Sequence, residues 1–346
     1  MHILQKFPLS FFLLALPLCL LSACRDDPAR HLPDVSNIPV EIKLQRFEQD
    51  FFRLDTNNLA AGVLQLTAKY PVLFPVFAQE IIRDRTNPQE TPLEAVSGFL
   101  HAPEVYHLND TVQQLYGDLG WLEQDLTQMF QYYKYYFPRN PVPKVATIIS
   151  EFGTDAFIIS DSLYGIGLDM YLGENFPGYN PEIFPDYIRR QFSRAYMPVR
   201  LAKVVAQNAM TTAPGQRLLE VMLYNGKQLY VVDCLLPQVP DSLKMGYTSA
   251  QMMGTEANEQ AVWARILTQN LLYSTDADQF KKLVTPSPNA PIAFQEAPGE
   301  IGNWLGWQIV KAYMKRHPET KMEQLLNFSD AQKFLEQAKY KPKRQQ

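Results

Sequence analysis

The chain opens with a continuous apolar run, Phe7 to Leu21, behind the single positive charge of Lys6, and the run closes on Leu21-Ser22-Ala23-Cys24. A polar stretch punctuated by prolines follows, to Pro39. Val40, Ile42 and Leu44 then alternate with polar residues, which predicts a short half-buried strand. Leu59 to Ala68 and Val72 to Ile82 carry helical spacing on either side of Pro71, and the segment from Asp84 to Thr91 reads as a polar loop. From Val112 through Leu119, Leu126 and Met129 to Tyr133, apolar residues recur at three- and four-residue steps. That stripe predicts one long helix beginning near Asn109 or Asp110 and stopped by Pro138.

The middle of the chain changes period. Val145 to Ile149, Phe157 to Ile159 and Ile166 to Leu172 are short runs rich in β-branched and aromatic residues, separated by glycines, and predict a small, mostly antiparallel sheet. Helical spacing returns over Tyr187 to Ala209, with Pro198 as a kink, and over Gln216 to Tyr224; Lys227 to Asp233 reads as one further strand. Capping boxes at Thr248 with Gln251 and at Ser329 with Gln332 mark helix starts, the first helix stopping at Gly254. Val262, Trp263, Ile266 and Leu271 line one face of the next. A last long helix opens after Pro298-Gly299-Glu300 and ends in Lys315, Arg316 and His317, cations that oppose the helix dipole, before Pro318. The fold expected is α+β: one predominantly helical body with a small sheet.

The N-terminal pattern has its own meaning. A positive residue, an apolar stretch and small residues before a cysteine make a lipoprotein-type signal over residues 1–23, cut before Cys24, which would then carry lipid. At about fifteen residues and with two prolines, the run is short of the roughly 20 that a membrane-crossing helix needs. Residues 24–39 read as a flexible tether and 40–346 as one globular domain. Cysteine usage agrees with export: Cys19 leaves with the signal and Cys24 would be lipidated. Cys234 then remains as a buried small hydrophobe, with no second cysteine for an intrachain disulfide. A net charge of −4 with dispersed signs, and no basic stripe before the short solvated tail Lys339 to Arg344, excludes a nucleic-acid binder.

Candidate chemistry is sparse. His101 and His107 lie in a polar turn region around Pro103, read as surface or capping residues. No His-Glu-x-x-His helix, phosphate loop or nucleophile elbow occurs. Glu151, Asp155, Asp161 and Asp169 flank the predicted sheet and are read as solvated loop acids, the alternative being a hard-cation or acid/base site. The aromatic cluster from Phe130 through Tyr132, Tyr133, Tyr135 and Tyr136 to Phe137 is read as core packing, the alternative being a sugar-stacking or partner surface.

Several blocks, in order along nearly the whole chain, resemble the gliding motility lipoprotein GldB family of Bacteroidetes. They are RFEQDFF (46–52), YYKYYFP (132–138), YGIGLDMYLG (164–173), NGKQLY (225–230), NEQAVW (258–263), PGEIGNWLGWQIVKAYM (298–314) and KYKP (339–342). The resemblance implies a lipid-anchored component of the cell envelope, required for gliding on surfaces and associated with the type IX secretion machinery, and it implies no established catalytic activity; no cofactor is expected. The partners it implies are the membrane, through the N-terminal lipid, and other gliding or secretion proteins of the envelope.

The layout is also distantly similar to a family of predicted zinc peptidases, in which a His-Glu-x-x-His helix precedes a helix ending in Glu-Gly. Here the helix Tyr187 to Ala209 contains no histidine and the second helix ends in Asn225-Gly226, so both kinds of zinc ligand are missing. A groove inherited from such a scaffold would be lined by Asp169, Tyr171, Glu220, Asn225, Glu259, Trp304 and Trp307. For the two tryptophans the competing role is core packing. The expected function is a non-enzymatic docking partner. The alternatives are a metal-dependent peptidase-like hydrolase and a solute- or glycan-binding lipoprotein. The lipid is expected at the periplasmic face or the cell surface; the acidic residues of Arg25-Asp26-Asp27 after Cys24 resemble, over a short match, surface-export signals of Bacteroidetes lipoproteins.

Overall fold

The computed structural model describes residues 32–87 and 89–342. The proposed signal, Cys24 and the first part of the tether lie outside them. The packed body runs from Val35 onward. Val35 is already a core residue and Gln131 donates to the Ile38 carbonyl at 3.2 Å, so packing begins inside the stretch read as tether.

Helices account for 56% of the chain, around a four-stranded mixed sheet. The strands are β1 (Leu44–Arg46), β2 (Lys144–Ile148), β3 (Ala156–Ser160) and β4 (Leu163–Gly167), in the order β1-β2-β4-β3. The expectation of a mostly antiparallel sheet is corrected. β1 runs parallel to β2 with Leu44 opposite Val145, and β2 runs parallel to β4 with Lys144 opposite Leu163; only the hairpin β3–β4 is antiparallel. A two-residue turn can close only an antiparallel pair, whereas a parallel pair needs a long crossover, and helical crossovers carry no local trace of which strand they return to. The predicted strand ending at Leu172 is also shorter than expected: the chain leaves β4 at Gly167 and coils into a 3-10 turn over Leu168–Tyr171.

Both faces of the sheet are covered. Ala146, Ile148 and Leu163 face a smaller core in which the rings of Phe47, Phe51, Phe77 and Phe99 meet edge to face, while Val145, Tyr164 and Ile166 face the larger helical core. This is why β2 reads as a continuous apolar run. Its one buried polar residue, Thr147, donates to Glu48 at 2.6 Å, and Glu48 pairs with Arg46 at 2.7 Å. Burial pushes the Glu48 carboxyl above its ordinary range, against the pull of Arg46.

Of the helices, we number α1 (Gly120–Tyr136), α2 (Met197–Asn208), α3 (Leu218–Leu235) and α4 (Ile301–Arg316). The long helix expected from Asn109 is two: Pro103–Tyr116, then α1 after a break at Gly117–Leu119. His101 ends one helix and His107 lies within the next, not in a turn, and both are exposed. Pro198 sits in the first turn of α2, where its missing N–H costs nothing, so it starts that helix instead of kinking a longer one. Lys227 to Asp233 is not a strand but the second half of α3, whose Leu229, Val231, Val232 and Leu235 are all buried; a helix apolar around its circumference is a core helix. The Thr248 box forms, though its helix runs past Gly254 to Ala257. At the other predicted box Asp330, not Ser329, caps the helix, accepting from Lys333 N at 2.9 Å.

Helices α3 and α4 cross at Gly226 and Gly306. A Cβ on Gly306 would lie 1.9 Å from the Met222 carbonyl oxygen, and one on Gly226 would lie 2.3 Å from the Gly306 carbonyl carbon. Backbone touches backbone there, which holds the start of α4 against the middle of α3 and shapes the space beside them.

Candidate functional site

That space is a cavity of about 400 Å³ between α2, α3 and the first turn of α4, of a size that holds small ligands. On α2 the stripe Arg200, Lys203, Val204 and Gln207 faces it at the i, i+3, i+4, i+7 spacing of one helix face, while Leu201, Ala202, Val205 and Ala206 turn into the core. Arg200 is held in place: its Nε donates to Asp155 Oδ2 at 2.5 Å, and Asp155 Oδ1 accepts from the Ala156 N–H at 2.7 Å. Tyr171 reaches from the turn after β4 and its hydroxyl donates to the Asp155 carbonyl at 3.4 Å.

Lys203 has no hydrogen bond or ion pair among the described residues. Burial lowers its pKa from 10.5 to about 8, the nearby Glu300 resisting that fall. Glu300 precedes α4 with φ of 65°, a left-handed conformation rare for a side chain other than glycine's. Burial pushes its carboxyl upward, and Lys203 and Asn303 pull it back. Asn303 Nδ2 donates to Glu300 Oε1 at 3.1 Å, and Asn303 Oδ1 accepts from Asn225 Nδ2 at 2.8 Å, so a chain of amides fixes the carboxylate. Lys244, at another wall, is buried and neutralised by Asp233 at 2.5 Å and Asp241 at 3.1 Å.

Of the residues proposed from sequence to line a groove, Tyr171 and Asn225 do so. The other five are employed elsewhere. Asp169 is fully buried and accepts from Ser150 N at 3.1 Å and Phe152 N at 2.6 Å, bracing the left-handed Glu151 and Phe152; burial raises its pKa to about 6 against those hydrogen bonds. Glu220 caps α3 by accepting from Arg217 N at 2.8 Å, and Glu259 accepts from the Tyr340 hydroxyl at 2.6 Å. Trp304 and Trp307 pack in the core, with Lys311 Nζ 3.7 Å from the Trp307 ring centroid. Arg200, Lys203 and Glu300 are the residues that sequence reasoning missed. The signal available was the polar stripe on an otherwise apolar α2.

Asp155 is ion-paired, Asp169 is buried and Glu151 and Asp161 are exposed, so the four acids do not form one site. Among the described residues no three His, Cys, Asp or Glu side chains gather as a metal-ligand set. In the aromatic cluster Phe130, Tyr132 and Tyr133 are core, while Tyr135 is half exposed. Cys234 is buried on α3. No helix among the described residues is long and apolar enough to cross a membrane.

Fold and site together define an α+β protein with a polar, partly charged cavity between core helices. Residues 29–342 match the model of the family described as gliding motility protein GldB, and the chain belongs to that family. Membership makes it a component of gliding motility and points to a place in the cell envelope. No curated protein and no solved structure matches it.

Proposed function

We propose that the protein is a lipid-anchored, non-enzymatic part of the gliding and type IX secretion machinery that works by docking another envelope component at the cavity between α2, α3 and α4. The observation that carries this reading is the character of the α2 stripe. On that stripe α2 presents Arg200 and Lys203, with no histidine, and α3 adds Asn225 to the same cavity wall. With Arg200 paired to Asp155, the wall offers the Lys203 ammonium, the Glu300 carboxylate and carboxamides, groups that grip hydrogen-bonding partners. A peptidase-like scaffold turned to binding accounts for α2 and α3 lying side by side with a cavity between them. The lipid on Cys24 keeps that cavity near the membrane.

Filling the cavity tests the idea. Gln228, one turn from Asn225 on α3, lines the same wall, so a larger side chain there narrows the cavity. Gln228→Trp is expected to abolish spreading of cells on a surface while leaving the amount of membrane-associated protein unchanged. Normal spreading with the cavity filled would remove the docking role.

A further inference from the structure

The polar groups of the cavity wall are unevenly used. Arg200 is committed to Asp155, and Lys244 to Asp233 and Asp241. Lys203 keeps all three of its N–H donors, and Glu300 keeps the oxygen that Asn303 does not touch. Lys203 and Glu300 both line the cavity and form no ion pair with one another, so an unmet donor and an unmet acceptor share its wall. Gln228 and the Asn225 carbonyl oxygen have no hydrogen bond among the described residues, and each carboxamide offers the two functions a peptide group offers. Between these polar points the wall is apolar, with Phe192, Leu229, Val232, Met245 and Pro286. Glu300 lines this space with a left-handed φ of 65°, and Asn303 holds its carboxylate by a 3.1 Å hydrogen bond; such backbone outliers cluster at ligand sites.

We propose that this cavity binds an extended peptide segment, one backbone amide lying between Lys203 and Glu300 with its carbonyl on the ammonium and its N–H on the carboxylate, and its side chains on the apolar wall. An anion such as phosphate fits less well, because the acids Asp155 and Glu300 offset the cations of α2. A carboxylate would meet Glu300 head on. The inference rests on the docking reading above and specifies its chemistry: the partner enters as main chain, not as sugar or free acid.

The test uses the lipidated full chain in detergent micelles and reads Lys203 itself. An unpaired amine of lowered basicity acylates readily, so the rate at which an acetyl N-hydroxysuccinimide ester modifies Lys203 is followed by peptide mass spectrometry, with the exposed Lys281 as internal reference. The probe is an equimolar pool of lysine-free, N-acetylated and C-amidated tetrapeptides at millimolar concentration. The pool is expected to slow acylation of Lys203 at least threefold relative to Lys281, and the protection is expected to fall several-fold in Glu300→Gln, whose folding is checked by its unfolding midpoint. Maltotetraose and succinate at the same concentration are expected to give none. No protection by peptides, or equal protection by the sugar or the acid, overturns the proposal. Protection in vitro together with normal gliding of a Gln228→Trp strain leaves the peptide site standing and removes the docking role. No protection together with lost gliding removes the peptide chemistry and leaves the docking role.

Discussion

At the scale of single residues, Lys203 and Asp169 show how far a side chain's role departs from its type. Between pH 8 and pH 10.5 the unfolded chain holds a proton on Lys203 that the folded chain has released, so stability rises with pH across that window. Below pH 8 the folded state bears the whole penalty of burying the ammonium. Lys203→Met is therefore expected to raise stability at pH 7 by about 1 to 3 kcal/mol, with the gain shrinking above pH 10, as read from urea unfolding at the two pH values. An unchanged midpoint at pH 7 would mean that the ammonium is fully solvated. Asp169 drew notice from sequence as an acid near the sheet, but it serves the backbone of Ser150 and Phe152. Asp169→Ala is expected to cost about 3 kcal/mol by leaving buried N–H groups unmet. A loss under 1 kcal/mol would show that water replaces it. Nothing in the local sequence separates an acid that ligates from one that braces a turn, since both sit among glycines and aromatics.

At the scale of elements, periodicity located α1, α4 and the start of α3, because one apolar face recurring every 3.6 residues is a property of the segment itself. It failed on the second half of α3. Leu229 to Val232 has the composition of a strand, and only burial on every side, against α2 and α4, makes it a helix. The resembling blocks NGKQLY and PGEIGNWLGWQIVKAYM hold Gly226 and Gly306, whose meaning emerges when the two helices cross. Gly306→Ala and Gly226→Ala are each expected to destabilise by about 1 to 3 kcal/mol, measured by chemical denaturation. The double variant is expected to lose less than the sum, because both methyl groups would part the same pair of backbones. Full additivity would mean that each glycine acts alone.

At the scale of the whole molecule, the proposed attachment belongs to the N-terminal segment and the proposed binding to the helical body. The lipid signal predicts that Cys24→Ala abolishes incorporation of labelled fatty acid and releases the protein from salt-washed membranes, with loss of gliding; retention at the normal level would show that another segment anchors it. The body needs no membrane surface of its own if several acyl chains hold it. The sequence by itself determined the helical character, the strand β2 and the family, because each is written in short spans or in the order of blocks along the chain. Only the tertiary structure decided that the sheet is mixed, that α2 and α3 flank a cavity, and that Arg200, Lys203 and Glu300 share it with Tyr171 and Asn225. Those residues lie up to 129 positions apart (Tyr171 to Glu300), and the packing of helices across that distance, through contacts such as Gly226 on Gly306, sets which of them meet.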